Sequence, residues 1–349
     1  MLSAARNGFS EDELERSRRF NRPLHVALAL DLALSLGTLA ALTRLDVGLP
    51  WYAAALVLPA LVELVPGVVR LPVGAWRHHH AVTWDLSTQS WGGWAADRAK
   101  GLAVGAVLST LALGSLFYAA HLWPNGWAWV AAPAAAGLVL VLGLLAPVLL
   151  EPLWNRFEPL EDGPLAARLH QLAAQAGAPV AEILVADASR RTRGQNAYVS
   201  GLGRTRRLVL WDTLLASPHD EIAVVLAHEL GHRVRRHVAV LTVVGMAGIA
   251  AFVVVLRLVR PHPVPQDAAA IALAGALAEL VALPALSALS RRFERVADRF
   301  SLELTADAGA FRRLHRRLAL ANLAELQPPA WLYYWMMTHP TPSERIDSA

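Results

Sequence analysis

The chain contains no cysteine, and only 17% of its 349 residues are charged. Without cysteine there can be no disulfide, no thiolate metal ligand and no cysteine nucleophile. So little charge in a chain that is 55% hydrophobic excludes an ordinary soluble protein and indicates a membrane protein. Twelve tryptophans agree with this class, because indole rings favour the membrane–water interface.

Six apolar stretches are long enough to cross a bilayer, which takes about 20 residues of α-helix. Arginines cluster before the first stretch and between the second and the third. This bias places the N-terminus, the 151–237 region and the C-terminus in the cytoplasm. Because acids and arginines mix ahead of the first stretch, we expect a retained span there and not a cleaved signal. The six stretches are residues 24–42, 51–69, 101–123, 126–150, 238–256 and 268–290.

Charged and metal-binding residue types also occur in or beside these stretches. Asp31, Glu63 and Glu279 each lie alone in an apolar stretch. Since charge is costly in hydrocarbon, we expect them to face one another or a water-filled cavity. The run "RHHH" at 77–80 borders a membrane end, and we predict a solvated loop there and not a metal site. The arginines near membrane ends determine topology or contact lipid, so no nucleic-acid partner is expected.

The chain divides into four regions by its pattern of apolar and polar segments. A membrane region with four spans covers 1–150, a soluble insertion covers 151–237, a two-span hairpin covers 238–290, and a helical cytoplasmic region covers 291–349. Within the insertion the pattern predicts a helix, then a strand, then a β-hairpin around two glycines. The fold class is therefore mainly α, a polytopic membrane helical bundle of about six spans with a small cytoplasmic α+β insertion.

Residues 217–260 predict one long helix that carries a metal-binding motif near its start. Ser217 is a suitable N-cap, and nothing interrupts the pattern before "RPHPVP", which gives a helix of about 40 residues and about 60 Å. His228 and His232 lie four residues apart, so both imidazoles would project from one face and could hold one ion. Glu229 stands beside them as a proton acceptor. The alternative is a surface helix that contains these residues by chance.

A catalytic zinc site needs a third protein ligand, and the topology narrows the choice. After His232 the next acids are Asp267, on the far side of the membrane, and Glu279, in mid-span. Glu294 is the first acid to return to the cytoplasmic side, because two antiparallel spans joined by a short loop bring it level with the histidines. Asp298, one turn later, suits an acceptor for the other N–H of a ligand histidine; a solvated helix charge is the alternative.

Two segments together resemble a known family. "VVLAHELGHRV" followed by "SRRFERVADRF" is similar to the zinc-dependent CAAX prenyl endopeptidases, which are integral-membrane gluzincins. The four spans before the motif favour this branch over the shorter HtpX-like relatives. One departure is the lack of a seventh span, since "AWLYYWMM" is too short to cross. Four further segments resemble the family in the same order, at 86–101, 147–165, 189–215 and 339–346.

The resemblance implies a zincin-like insertion that binds one Zn²⁺ through His228, His232 and Glu294. The metal would polarise the scissile carbonyl and acidify water. Glu229 would accept the proton and return it to the leaving amine.

The resemblance also implies a second catalytic residue, His339, and a substrate-binding segment that begins at Asn196. His339 matches a family histidine that steadies the oxyanion, with a capping or core histidine as the alternative. Asn196 matches a family asparagine that holds the substrate backbone, with an ordinary turn residue as the alternative. The adjacent Ala197 and Tyr198 begin a β-prone run that could pair with an extended peptide by strand addition.

These observations predict a membrane zinc endopeptidase with its active site on the cytoplasmic side of a bacterial plasma membrane. Its partners would be the lipid bilayer and a peptide or protein substrate. The resemblance implies prenylated CAAX peptides, but the composition, rich in Ala, Leu and Arg, indicates a bacterium in which such substrates are not expected. General processing of membrane proteins or peptides, as in an HtpX-like quality-control protease, therefore stays open. A non-catalytic scaffold would not need His228, Glu229, His232 and Glu294, and a metal transporter would need ligands along its spans.

Overall fold

The computed structural model describes residues 8–45, 47–180, 182–205 and 207–349. Helices dominate the N-terminal half: α1 (Glu11–Leu42), α2 (Trp51–Val69), α3 (Leu71–Thr83), α4 (Trp91–Ser109), α5 (Ser115–Leu122), α6 (Trp127–Leu145) and α7 (Pro164–Gln175). The C-terminal half adds α8 (His219–Val234), α9 (His237–Val259), α10 (Ala268–Thr305), α11 (Ala308–Ala321), α12 (Ala330–Trp335) and α13 (Pro342–Asp347). The strands are β1 (Phe157–Pro159), β2 (Ile183–Ala186), β3 (Ala197–Ser200) and β4 (Arg207–Trp211).

Six helical segments of the described chain are long and apolar enough to cross a membrane. This confirms the predicted polytopic helical bundle, although most of the helices extend beyond the apolar stretches. Leu258 and Val281 point outward, as side chains in contact with lipid do. At one end of the bundle the buried Trp127 donates its indole N–H to the Pro261 carbonyl (2.9 Å), which ties α6 to the loop after α9. The segments are Glu11–Leu42, Trp51–Val69, Trp91–Leu122, Trp127–Leu153, His237–Val259 and Pro265–Thr305.

The insertion contains a four-stranded sheet in the order β1-β2-β4-β3. Strands β2 and β4 are parallel, whereas β3 pairs with β4 in the antiparallel hairpin that the sequence predicted. The three-residue β1 was not predicted. Apolar side chains of α7, α8 and α11, among them Leu169, Leu226 and Phe311, form one core with the sheet. Strand β3 is left as an edge, and it lies beside α8.

The predicted continuous helix over 217–260 is wrong, because the chain breaks between α8 and α9. Arg236 has φ +57°, a left-handed conformation that costs a non-glycine residue about 1–2 kcal/mol. The break has a tertiary cause. Helix α8 packs along α10 next to the sheet, whereas α9 packs along α6 in the bundle. One straight helix cannot follow both directions.

The predicted solvated loop at "RHHH" is also wrong, since these residues lie within α3. The ring of His78 is buried against Trp91 (centroids 4.7 Å apart) and Trp94 (5.9 Å). The His80 ring stacks on Phe20 at 5.1 Å. Residues 77–80 thus pack against aromatic side chains of other elements. The polarity of the local sequence cannot predict such tertiary contacts.

The three isolated acids do not meet one another as a group. Asp31 forms an ion pair with Arg70 (Nε–Oδ1 3.0 Å). Asp31 and Glu63 line a common polar cavity of about 450 Å³. Glu279 lies on an exposed face of α10 and is not part of this cavity. The expectation of a cavity therefore holds for two of the three acids.

Helices α8 and α10 approach each other closely at Gly231. A Cβ at this position would lie 3.1 Å from the Ala297 Cα and 3.3 Å from the Phe300 Cβ. Because Ala297 offers backbone and not a flexible side-chain end, the helices would have to separate. The glycine of the "HELGH" motif therefore sets the distance between the two helices.

We predict that Gly231→Ala lowers the free energy of unfolding by about 1–3 kcal/mol through overpacking. Gly248→Ala is the matched control, because a Cβ there meets nothing within 4 Å and alanine favours the helix. The measurement is the thermal unfolding midpoint in detergent with a chelator present. Equal midpoints for the two variants would contradict the close-packing explanation.

Candidate metal centre

Three potential ligand atoms from α8 and α10 converge on one point. The His228 Nε2 and His232 Nε2 atoms lie 3.0 Å apart. Oε2 of Glu294 lies 3.3 Å from His228 Nε2, and Oε1 of Glu294 lies 3.2 Å from His232 Nε2. Tetrahedral zinc with bonds of about 2.0–2.1 Å has ligand atoms about 3.3 Å apart. The three side chains therefore fit a single zinc-sized ion, and they are the one such group found among the described residues.

The chemistry of the pocket also favours a cation. Glu294 Oε2 is buried and accepts no hydrogen bond from the described residues, which is costly for a carboxylate oxygen without a cation beside it. Burial disfavours a charge on His228, but the hydrogen bond to Asp298 and the nearby carboxylate of Glu294 outweigh burial and raise the pKa of His228 to about 9. The environment thus stabilises positive charge at this point, whether a proton or a metal ion supplies it.

Asp298 orients the first histidine. Its Oδ1 lies 2.9 Å from His228 Nδ1, which turns Nε2 toward Glu294. Arg345, on α13, holds the same carboxylate through Nε (2.9 Å to Oδ2) and Nη2. Asp298 is therefore buried, and Arg345 compensates its charge; it is not a charge on a solvated helix face. Such outer contacts fix the tautomer and direction of a ligand ring.

Glu229 lies between the ligand atoms and the sheet. It is at the cavity wall, and its Oε2 accepts the backbone N–H of Val199 on β3 at 3.0 Å. Burial raises the pKa of Glu229 above its usual value. A carboxyl group with a raised pKa is better matched to proton transfer near neutral pH than an ordinary glutamate.

The predicted substrate residues line the same cavity of about 400 Å³. Asn196 Oδ1 accepts the Ala197 N–H (2.9 Å), and Tyr198 donates its hydroxyl to Glu151 (3.1 Å). His339 is half-exposed at the rim, with Nε2 3.5 Å from Glu294 Oε2. Asp298 alone among the predicted site residues stands behind the cavity wall, in contact with His228.

Three residues near the centre were not predicted. Arg345 holds Asp298, His315 is buried with Nε2 3.9 Å from Asp298 Oδ1, and His237 contacts His232. Arg345 lies inside the segment 339–346, "HPTPSERI". The sequence therefore showed the motif that contains Arg345, but it did not show that Arg345 contacts Asp298. His315 and His237 carried no spacing signal, because the contacts of both depend on tertiary packing.

Together the helical bundle and the centre define a multi-pass membrane metalloprotease. A family model, peptidase family M48, matches residues 159–349. This is more than half of the chain, and the chain belongs to that family.

Known relatives agree with this assignment. The chain is 29% identical over 308 residues to the uncharacterized metalloprotease YhfN of Bacillus subtilis (strain 168), covering 83% of this chain and 71% of the relative. It is 37% identical over 131 residues to a CAAX prenyl protease 1 homolog of Oryza sativa subsp. japonica, covering 37% of this chain and 29% of that protein. The crystal structure of S. mikatae Ste24p superposes with a TM-score of 0.81 at 22% identity, over 97% of this chain and 89% of that one. This last likeness shows the fold.

We predict that Asp298→Asn weakens zinc binding about 10- to 100-fold, because the His228 ring loses its charged acceptor. The control is Glu303→Gln, which removes an exposed acid from the same helix. Competition with a colorimetric chelator in detergent measures the zinc Kd. Unchanged zinc affinity in the Asp298 variant would show that this contact does not support the centre.

Proposed function

We propose that this protein is a zinc-dependent endopeptidase that cleaves peptide bonds at the cytoplasmic edge of a bacterial plasma membrane. One observation carries the proposal. His228, His232 and Glu294 converge at 3.0–3.3 Å while Glu229 lies in the same cavity. A binding protein or scaffold has no need of a buried carboxylate next to a three-ligand cation site.

The residues of the chain divide the chemistry between them. Zinc, when bound by the two histidines and Glu294, polarises a carbonyl and acidifies water. Glu229 takes up the proton on its carboxylate and delivers it to the leaving amine nitrogen. Its raised pKa, caused by burial, allows it to hold the proton between these two steps.

The edge strand supports a substrate in an extended conformation. Strand β3 pairs with β4 on one side only, so its other edge can add a peptide strand beside Glu229. Asn196 uses Oδ1 locally, which leaves its amide N–H₂ for a substrate carbonyl. His339 at the rim can donate a hydrogen bond to the oxygen that becomes negative during attack.

Prenylated CAAX peptides are one substrate class to test. Support comes from relatives named CAAX prenyl protease 1, whose aligned part covers about 29% of the relative's length in the rice homolog. General peptide or membrane-protein processing is the second class. The Bacillus metalloprotease, which matches over a larger share of this chain, has a name that specifies no prenylated substrate.

We predict that Glu229→Gln lowers peptidase activity at least about 100-fold while zinc stays at one equivalent, since only the proton acceptor is lost. The substrates are an internally quenched peptide and a farnesylated CAAX peptide, assayed in detergent with elemental analysis of the same samples. Activity that survives the substitution would refute the role of Glu229. Zinc-free wild type would refute the metal centre. Cleavage of only the farnesylated peptide would assign the prenyl-peptide class.

The absence of native cysteine allows the proposed orientation to be tested directly. Ala216→Cys places a thiol on the exposed surface of the insertion, and Asn125→Cys places one in the exposed connection before α6. On intact cells we expect a membrane-impermeant maleimide to label only the Asn125 variant. The Ala216 variant should react after lysis. Labelling of the Ala216 variant in intact cells would overturn the cytoplasmic active site.

A further inference from the structure

We propose that His237 is a positioning residue that fixes the tautomer and the ring direction of the ligand His232. The inference rests on the proposed zinc site and extends it by a residue outside the metal motif. Its basis is a short contact between two ring nitrogens, His232 Nδ1 and His237 Nδ1, which lie 2.9 Å apart.

The contact determines where the protons lie. A neutral histidine that offers Nε2 to a metal carries its proton on Nδ1. In His232 this Nδ1–H points at His237, so the facing Nδ1 of His237 must be the acceptor and its proton must be on Nε2. The pair then has one allowed arrangement, in which Nε2 of His232 is an open lone pair directed at Glu294 and His228.

The break between α8 and α9 creates this pair. Five residues along an uninterrupted helix turn the chain by about 500°, which leaves the two side chains about 140° apart. The left-handed Arg236 interrupts that rotation and brings the His237 ring back onto His232. The left-handed conformation of Arg236, which local sequence propensity does not favour, therefore places His237 beside His232.

Packing holds the His237 ring in this orientation. The residue is 5% exposed. Its ring stacks on Phe293 with the centroids 4.2 Å apart and the planes 4° from parallel. Phe293 directly precedes Glu294 on α10, so the same stack joins the start of α9 to the segment that supplies the third ligand. His237 itself is not a ligand, because its Nδ1 faces the outer nitrogen of His232 and it is not one of the three converging residues.

The two ligand histidines are thus supported unequally. His228 donates to a carboxylate, Asp298, whereas His232 donates to a neutral imidazole. A charged acceptor strengthens a ligand ring more than a neutral one does. Loss of the His237 acceptor should therefore weaken zinc binding about tenfold, at the lower end of the range of about 10- to 100-fold typical of outer contacts.

The experiment compares His237→Leu with His237→Asn in the full-length protein in detergent. The two replacements have nearly the same shape, but only asparagine offers an oxygen near the position of Nδ1. His237→Phe is a third variant, which keeps the stack on Phe293 and removes the acceptor. Each protein is titrated with zinc against a chelator. Its cobalt-substituted form is recorded by visible absorption, which reports ligand geometry, and the unfolding midpoint is measured without metal.

We expect the Leu and Phe variants to bind zinc about tenfold more weakly and to alter the cobalt spectrum. The Asn variant should stay within about threefold of wild type. Wild-type affinity in the Leu and Phe variants would overturn the inference. An equal loss in all three variants would also overturn it, because side-chain volume and not the acceptor would then matter. If wild type bound no zinc, the proposed function would fail together with this inference, whereas zinc-binding wild type with unaffected variants would refute the inference alone.

Discussion

The close approach of α8 and α10 is the contact on which the rest of the centre depends. Gly231 lies within one helical turn of both histidines, and Ala297 lies between Glu294 and Asp298 on the facing helix. Since no side chain separates the helices at this point, the histidine nitrogens come within 3.3 Å of the Glu294 oxygens. Catalytic geometry tolerates displacements of only about 0.5 Å. The close packing of α8 and α10 therefore determines the distances between the candidate ligand atoms.

Charge balance follows from the same packing. Two buried carboxylates, Glu294 and Asp298, face the histidines, and Arg345 pairs with only one of them. The charge of Asp298 is thereby compensated by an arginine, whereas among the described residues the Glu294 carboxylate faces only histidine rings, which can bind an ion together with it. In the part of the chain that the structure describes, Glu229 is paired neither with an arginine, as Asp298 is, nor with the candidate ligand set, and burial raises its pKa. Two carboxylates on the cavity wall, Glu229 and Glu294, and a third behind it, Asp298, thus lie in three different electrostatic environments. Such differences suit the separate roles proposed for them in metal binding and proton transfer.

The sequence predicted those features that local pattern or topology determines. The spans follow from length and hydropathy, the histidine pair from a four-residue spacing, and Glu294 from the return of the chain across the membrane; their chemical roles remain proposals. The break at Arg236 escaped prediction because arginine neither breaks helices nor favours left-handed conformations, so only the packing of α8 and α9 against different partners reveals it. His237 escaped with it, and the α3 helix at 77–80 depends on aromatic neighbours from other elements.

The same geometry explains why such a centre is fused to membrane helices. The histidines belong to a helix that packs on the four-stranded sheet, but Glu294 is supplied by a helix whose first half lies in the bundle. The three candidate ligands come together only because α9 leads the chain away from the sheet and α10 brings it back. The break at Arg236 allows α8 to stay on the sheet while α9 turns into the bundle, and it places His237 against His232 in the same step. A single turn of the chain therefore joins the helix that carries the two histidines to the bundle from which α10 returns with Glu294.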